Sequence, residues 1–277
     1  MSFIEKLTRR WEQANSLLCV GLDPVLDRLP ASLREQSPNI AELLFAFNQA
    51  IIDATHEFAA AFKPQVAFYS AEGEGGEEAL ERTVRYIHET YPDIPVILDA
   101  KRGDIGSTAE AYAKEVFDRY GVDALTVNPY LGRDSVEPFL ERREKGIIIL
   151  CKTSNPGADD FQNLEVDGIP LYEIVARKVS EEWNAYGNCA LVVGATFPEE
   201  MRRVRAIVKG MPFLVPGIGA QGGEVKAAVE AGQDSKGQGL IINSSRGIIY
   251  ASAGEDFAEA ARREAQKLRD EINRYRI

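Results

Sequence analysis

The chain of 277 residues is 45% hydrophobic and contains 23 glycines, which is enough apolar sequence to bury one large core or two modest ones. This composition excludes intrinsic disorder, collagen-like repeats and small disulfide-stapled scaffolds. The formal net charge of −11 opposes binding to a phosphate backbone, and no local basic stripe offsets it. We therefore expect no nucleic-acid partner, and an anionic ligand would need a small pocket of its own.

The cysteines and the N-terminus indicate the cellular compartment. Cys19, Cys151 and Cys189 lie far apart in apolar runs, so we interpret them as buried thiols of a reduced compartment. Neither of the two histidines lies close to a cysteine, so the sequence offers no zinc-ligand spacing. No run approaches the ~18 apolar residues of a membrane span, and residues 1–10 lack a signal-peptide core. These features predict a cytoplasmic protein without a membrane partner.

Short runs rich in Val, Ile and Leu recur along the whole chain, each followed by a turn signal and a segment with helical spacing. Continuous apolar runs are typical of parallel strands covered by helices on both faces or closed into a barrel. Eight strand–helix units in roughly 250 residues predict a (β/α)8 TIM barrel, with a doubly wound open sheet as the alternative. The predicted strands are residues 17–22, 61–67, 96–99, 124–128, 146–151, 190–194, 213–216 and 240–243.

The predicted helices support this architecture. Residues 2–15 form an N-terminal helical extension, and apolar residues between Ile40 and Phe58 make one stripe at 3.6-residue spacing. Thr196 with Glu199 indicates a capping box at the start of another helix. The charge-dense segment 255–276 is typical of a solvated helix. Because no linker interrupts the pattern, we expect one domain over residues 1–277.

Charged residues stand on or directly after two neighbouring predicted strands. Lys63 lies on strand two, Asp99 and Lys101 end strand three, and Asp104 follows in the next loop. Asp99 and Lys101 are two positions apart, so on a regular strand their side chains point the same way, into the top of the barrel. The sequence therefore predicts an alternating Lys, Asp, Lys, Asp array at the catalytic rim. A structural ion-pair network is the alternative.

A second constellation follows strands seven and eight. Residues 216–223 form a glycine-rich loop that opens a helix, where backbone N–H groups and the helix dipole favour an anion. The dinucleotide fingerprint that it also matches is a weak signal so late in the chain, without a following acidic residue for a ribose diol. With Ser245 and Arg246 after strand eight, the loop matches the phosphate site of barrel enzymes, and Arg246 would supply the bidentate fork. Tight turns without a ligand are the alternative.

Together these residues predict a small phosphorylated ligand across the barrel mouth. Its phosphate would lie over strands seven and eight, and the charged array over strands two and three. The sequence offers no metal-ligand set, no isolated Schiff-base lysine and no thiamine or pyridoxal motif, so we expect no cofactor.

The segment Asp99-x-Lys101-x-x-Asp104-Ile105-x-x-Thr108 resembles the orotidine 5′-phosphate decarboxylase family, and the resemblance extends along essentially the whole chain. It implies cofactor-independent decarboxylation of orotidine 5′-monophosphate to UMP and CO2. Lys101 would then protonate C6 of the pyrimidine, Asp99 would face the substrate carboxylate, and Lys63 would bridge Asp99 and the ribose. Asp104 and Thr108 would serve the neighbouring subunit of a homodimer.

The same resemblance assigns the contacts to the nucleotide. Asp23 would bind a ribose hydroxyl and Ser154 the amide edge of the pyrimidine. Gln221 and Arg246 would bind the phosphate, with Ser245 contributing its backbone N–H.

Two other functions remain open from the sequence. A magnesium-dependent decarboxylase or aldolase of keto-sugar phosphates shares the Asp-x-Lys-x-x-Asp segment, but has an acidic metal ligand where this chain has Lys63, whose ammonium would repel the cation. A non-catalytic phosphate-binding barrel would need Arg246 but would have no use for Lys101.

Overall fold

The computed structural model describes residues 1–35, 37–218 and 224–277. Across these ranges eight parallel strands form one sheet. The strands are β1 (Leu18–Leu22), β2 (Ala61–Pro64), β3 (Ile97–Arg102), β4 (Ala124–Val127), β5 (Gly146–Lys152), β6 (Cys189–Val193), β7 (Phe213–Val215) and β8 (Leu240–Ser244). Their spatial order is β2-β1-β8-β7-β6-β5-β4-β3. Isolated bridges from Phe62 to Val96 and from Gln65 to Asp99 join the two ends of this order, β2 and β3. The barrel prediction is confirmed and the open sheet is excluded.

Helices surround the barrel and connect its strands. The longer ones are α1 (Phe3–Gln13), α2 (Ile40–Thr55), α3 (Gly73–Thr90), α4 (Gly106–Lys114), α5 (Leu171–Lys178), α6 (Pro198–Val208), α7 (Val225–Gly232) and α8 (Phe257–Asn273). Shorter α-helical segments are Ala31–Arg34, Ala67–Ser70, Glu137–Leu140 and Arg246–Ile249. The 3-10 turns are Leu26–Arg28, Arg133–Ser135 and Pro156–Asp160, and π-helical turns extend α4 (Glu115–Arg119) and α5 (Val179–Trp183).

The barrel strands are buried because helices cover the outside and side chains fill the inside. Every residue of β1, β2, β4, β6 and β7 is buried, as expected for continuous apolar runs in a parallel sheet. Burial raises the pKa of each cysteine thiol, Cys19, Cys151 and Cys189, to about 12, so all three are inert core residues as predicted.

Helix α1 is the predicted N-terminal extension, and it lies at the end of the barrel where the strands begin. A capping box starts it: Ser2 Oγ accepts from the Glu5 N–H and the Glu5 carboxylate accepts from the Ser2 N–H. Phe3 packs against Gly146 at the start of β5, where an added Cβ would come within 2.1 Å of the ring. The glycine therefore makes room for the helix that closes this end.

The predicted capping box at Thr196 is wrong. Helix α6 begins at Pro198 with Phe197 as its N-cap, and no side chain caps it. Proline with its fixed φ is favoured in the first turn, so the helix starts one residue later than a cap at Thr196 predicts. The Thr196 hydroxyl instead donates to the Ser154 carbonyl at 3.5 Å.

The segment after β5 contains its own local structure. It continues from the 3-10 turn into a two-stranded antiparallel hairpin of Glu165–Val166 and Ile169–Pro170. Asp167 and Gly168 at the turn both have positive φ, as a two-residue hairpin turn requires. In the described part of the chain, none of the helices has both the length and the apolar character needed to cross a membrane.

Candidate active site

A pocket of about 710 Å³ opens at the carboxyl ends of the barrel strands. Within the described residues, each of the eight strands, or the loop after it, contributes to its wall. Ligands of barrel enzymes bind at this end, and the volume is that of a small-molecule site. The lining includes Asp23, Lys63, Asp99, Lys101, Thr126, Ser154, Asn243, Ser245 and Arg246.

Three of the four predicted charges meet at one side of the pocket. Asp99 lies between two ammonium groups: Lys63 Nζ is 3.1 Å from its Oδ2 and Lys101 Nζ is 2.6 Å from its Oδ1. The side chain of Lys63 is 5% exposed and that of Asp99 14%, whereas Lys101 is 46% exposed. Lys101 is therefore the charge that a bound ligand can reach most directly.

The pKa values of this cluster follow from its mutual contacts. Burial alone would lower the pKa of Lys63, but the carboxylates of Asp99 and Asp23 raise it above the ordinary lysine value. Burial alone would raise the pKa of Asp99, but Lys63 and Lys101 hold it well below the usual range. Lys63 and Asp99 therefore stay ionised throughout the neutral pH range.

An irregularity in strand β3 places the side chains of Asp99 and Lys101 together, and the alternating side-chain directions of a regular strand do not account for it. The β3–β4 register shifts between Leu98 and Arg102, and Lys101 has a left-handed backbone with φ of +47°. A positive φ is uncommon for a residue with a side chain, and such strain clusters at functional sites. The prediction that Asp99 and Lys101 share a side is confirmed, but the regular strand geometry assumed for it is wrong.

The fourth charge, Asp104, does not join the array of its own chain. Among the described residues its carboxylate accepts from the Ile105 N–H at 2.8 Å, within its own loop. Thr108, one turn into α4, is exposed. Within one chain, three of the four charges of the predicted array therefore come together, and the place of Asp104 in the array stays a prediction.

The loop after β8 also lines the pocket, and it presents Arg246. This residue begins the helical segment Arg246–Ile249, is exposed, and forms no ion pair with the described residues. Ser245 packs on Gly21 so closely that a Cβ on the glycine would lie 2.6 Å from the serine Cβ. Gly217 after β7 has φ of +98°. The predicted phosphate residue Gln221 lies outside the described residues.

Three buried oxygen atoms in the pocket wall have no hydrogen-bond partner among the described residues: Asp23 Oδ1, Asn243 Oδ1 and Ser245 Oγ. Buried polar atoms are rarely left unpaired, so these oxygens suit a polar ligand. The Tyr250 hydroxyl donates to the Asp23 carbonyl at 3.1 Å and accepts from the Val25 N–H at 2.7 Å. This contact fixes the loop that carries Asp23.

The loop carrying Ser154 is held by polar contacts to the segment that follows it. Lys152, fully buried, lies 3.0 Å from Asp159 and donates to Asn163 at 2.9 Å. Gln162 accepts from the Thr153 N–H and donates to the Thr153 hydroxyl, both at 2.8 Å. The segment that follows Ser154 is thus tied to the end of β5.

The comparisons with known proteins agree with this geometry. A sequence model of the orotidine 5′-phosphate decarboxylase / HUMPS family matches residues 16–263. The chain belongs to this family. The orotidine 5′-phosphate decarboxylase of Cellvibrio japonicus is 58% identical over 273 residues, covering 99% of this chain and 98% of that protein. The one from a Janthinobacterium species is 56% identical over 275 residues, 99% of each. The solved Leishmania donovani OMP decarboxylase has a TM-score of 0.86 and 41% identity, covering 99% of both chains.

Family membership confirms the resemblance stated from the Asp99 to Thr108 segment. The sequence prediction nevertheless missed Thr126, Gln65 and Asn243, which also line the pocket. Thr126 and Asn243 lie inside apolar strand runs, and their position near strand ends was the available signal. Polar residues inside otherwise apolar barrel strands are therefore as informative as the loops that follow them.

Proposed function

We propose that this chain catalyses the decarboxylation of orotidine 5′-monophosphate to UMP and CO2, without a cofactor, in pyrimidine biosynthesis. The observation that carries the proposal is the exposed Lys101 ammonium, 2.6 Å from the buried Asp99 carboxylate and facing the pocket. The whole chain acts as one barrel domain, and the family and its named relatives support this substrate.

The reaction needs a cation at the carbon that loses CO2. When the bond from C6 to the carboxylate breaks, its electron pair stays on C6 as a localised carbanion. The Lys101 ammonium stabilises this charge and donates a proton to C6, and the resulting neutral amine then takes a proton from solvent. Lys63 and Asp99 hold the ammonium in place, so little reorganisation is needed during the reaction.

The nucleotide spans the pocket from the charged cluster to the loops after β7 and β8. Asp23, whose buried Oδ1 has no hydrogen-bond partner among the described residues, accepts a hydrogen bond from a ribose hydroxyl, and Ser154 binds the amide edge of the pyrimidine. Gln221, the Ser245 N–H and the Arg246 guanidinium bind the phosphate. Arg246 is suited to this because a guanidinium binds phosphate through two parallel hydrogen bonds.

Asp104 and Thr108 act in the site of a second copy of this chain. Both lie outside the pocket of their own chain, and they are accompanied by exposed apolar side chains of Ile105, Tyr130 and Leu131. Exposed apolar residues grouped in this way favour an interface between subunits. A homodimer with shared sites would thus bring an aspartate to each Lys101.

The decisive experiment measures turnover of orotidine 5′-monophosphate by absorbance in the presence of EDTA. Wild-type protein is expected to be active, and Lys101→Ala to lose at least about 10⁴-fold in kcat while still binding UMP. Replacing an exposed lysine outside the pocket, Lys178→Ala, serves as the matched control. Wild-type protein without turnover would refute the proposed activity and favour a non-catalytic phosphate-binding barrel.

The magnesium-dependent alternative is tested by the same assay. The family is named for two groups of proteins, orotidine 5′-phosphate decarboxylase and HUMPS. Membership of the family alone therefore does not exclude a different substrate. Lys63 opposes it, because an ammonium 3.1 Å from Asp99 occupies the place beside the carboxylate that a divalent cation would need. Activity abolished by EDTA and restored by Mg²⁺ would decide for the metal-dependent reaction.

Subunit sharing is tested with mixed variants. Asp104→Ala and Lys101→Ala are each expected to be nearly inactive, and exchange of subunits between them should restore about a quarter of the wild-type activity, because half the dimers are hybrids with one intact site of two. No recovery despite demonstrated exchange would refute the proposal that Asp104 acts in the site of the second subunit.

A further inference from the structure

The irregularity in β3 leaves several residues facing a single partner. Leu98 pairs with Leu125 and Arg102 pairs with Val127. Three residues of β3 therefore lie opposite one residue of β4. In a bulge the extra residues lose their ladder hydrogen bonds, so their backbone N–H groups need other acceptors.

Thr126 is the β4 residue at this point, and its hydroxyl makes three hydrogen bonds. Oγ1 accepts from the N–H groups of Ala100 and Lys101, each at 3.0 Å, and donates to Asp99 Oδ1 at 2.9 Å. A hydroxyl has one hydrogen and two acceptor sites, so its full capacity is used. Thr126 is 1% exposed, so water does not compete for these bonds.

These bonds act on the two groups that matter for the reaction. The Lys101 N–H is held in a residue whose φ is +47°, a conformation that persists where the surroundings enforce it. The bond to Oδ1 orients the carboxylate oxygen that also binds Lys101 Nζ. One hydroxyl thus fixes both the backbone from which the ammonium projects and the carboxylate that holds its tip.

We propose that Thr126 is a positioning residue for Lys101. This inference rests on the proposed function, in which Lys101 protonates the substrate. Thr126 acts through the bulge: it keeps the ammonium at the place where negative charge develops. Because misplacement of a catalytic group by about 1 Å can cost about 10²-fold in rate, loss of the hydroxyl affects turnover more than binding.

The test compares three variants at position 126. Thr126→Val keeps the shape but removes the hydroxyl, and we expect kcat to fall about 10²-fold while KM and the Kd for UMP change less than about threefold. Thr126→Ser restores the hydroxyl and is expected to recover kcat to within about fivefold of wild type. Thr126→Cys, a weak donor and acceptor, is expected to lie between them.

The matched control is Thr55→Val, which makes the same change at a buried threonine of α2 whose hydroxyl donates to the Ile51 carbonyl at 2.7 Å. It is expected to keep full activity, so any general effect of losing a buried hydroxyl is accounted for. A crystal structure of Thr126→Val should show that Lys101 has left the positive-φ region. Unchanged kcat in Thr126→Val, or equal loss in Thr126→Ser, would overturn the proposal.

If Thr126→Val fails to fold, the comparison of Thr126→Cys with Thr126→Ser decides, because both keep a small polar side chain. Equal kcat in these two folded variants would also overturn the proposal. Failure here is distinct from failure of the proposed function, because each variant is compared with a wild-type protein whose turnover of orotidine 5′-monophosphate is measured first.

Discussion

Removing the charge of Lys63 while keeping its length tests how the buried cluster is held together. In Lys63→Met, Asp99 keeps Lys101 and Thr126 as partners but loses the more buried of its two ammonium partners, 3.1 Å away. Two unit charges at this separation attract each other by about 5 kcal/mol at an effective dielectric constant of about 20. Part of this attraction is offset because the variant no longer has to desolvate an ammonium.

The net loss in the free energy of unfolding of Lys63→Met depends on the partners that Asp99 retains. Breaking a buried ion pair by removing one partner costs about 3–5 kcal/mol. Because Asp99 retains two other partners, we expect the lower end, about 3 kcal/mol in the free energy of unfolding, or a decrease in Tm of roughly 6–10 °C. Activity should fall as well, because Lys63 binds Oδ2 of Asp99, whereas the two remaining partners, Lys101 and Thr126, both bind Oδ1.

The expected dependence on pH follows from the pKa directions. Folding raises the pKa of Lys63, so its stabilisation is fully present below the unfolded value of about 10.4 and is lost as pH rises through the higher folded value. Folding lowers the pKa of Asp99, so its stabilisation is present above the unfolded value of about 3.9 and is lost as pH falls below it. The stability difference between wild type and variant should therefore be constant from about pH 5 to about pH 9.

Urea unfolding at several pH values, together with thermal melts, measures this difference. The matched control is Lys267→Met, in which the same change removes an exposed lysine 3.3 Å from Glu264 and should cost less than about 1 kcal/mol. A Lys63→Met protein as stable as this control, or a difference that disappears at about pH 7, would refute the reasoning.

Three further predictions concern the pH dependence of turnover, the Lys6–Asp123 ion pair and the phosphate contact. Because the pKa of Asp99 is lowered and that of Lys63 is raised, kcat should vary less than about twofold between about pH 5.5 and 8.5, and a steady-state pH profile with a break inside that window would contradict this assignment. Asp123→Asn should lower the free energy of unfolding by about 2 kcal/mol at neutral pH, because it leaves the buried Lys6, 3.2 Å away, without its counter-charge; as the pKa of Asp123 is lowered by folding, denaturant titrations should show the difference shrinking below about pH 4. Arg246→Ala should reduce kcat/KM for orotidine 5′-monophosphate about 10³-fold but leave the slow turnover of unphosphorylated orotidine unchanged, and equal losses for both substrates would exclude a phosphate contact.

The fold was predictable because its signal is local and repeated. Each barrel strand is an apolar run of three to seven residues whose hydrophobicity is set by burial on both faces, and each run is followed by a helical period. The largest disagreements are at strand ends. β3 continues three residues beyond its predicted end, to Arg102, and β5 one residue beyond, to Lys152, because polar side chains at a barrel mouth remain in the ladder. β2, predicted to reach residue 67, ends at Pro64, because a short helix begins at Ala67.

The start of α6 was not predictable from the pattern that was used. A threonine followed three residues later by glutamate fits a capping box, but the proline at position 198 competes for the first turn and the threonine side chain finds an acceptor at Ser154. That acceptor is 42 residues away in the chain. A tertiary contact therefore takes the threonine hydroxyl that the local motif would use to cap the helix.

A tertiary contact also explains why the sequence predicted that Asp99 and Lys101 lie on the same side of β3 but did not predict the bulge between them. An Asp-x-Lys pair places both side chains on one side of a regular strand, and the pair also meets across a bulge in which Lys101 has a positive φ. The two geometries share one sequence pattern, so the pattern cannot choose between them. The residue that favours the bulge is Thr126 on the neighbouring strand, 25 to 27 positions further along the chain, because its hydroxyl satisfies the N–H groups that the bulge exposes. The Asp-x-Lys pair of the charged cluster can therefore be identified from a short stretch of sequence. The backbone conformation that directs Lys101 toward Asp99 depends on a hydroxyl from another strand, and the short stretch does not contain it.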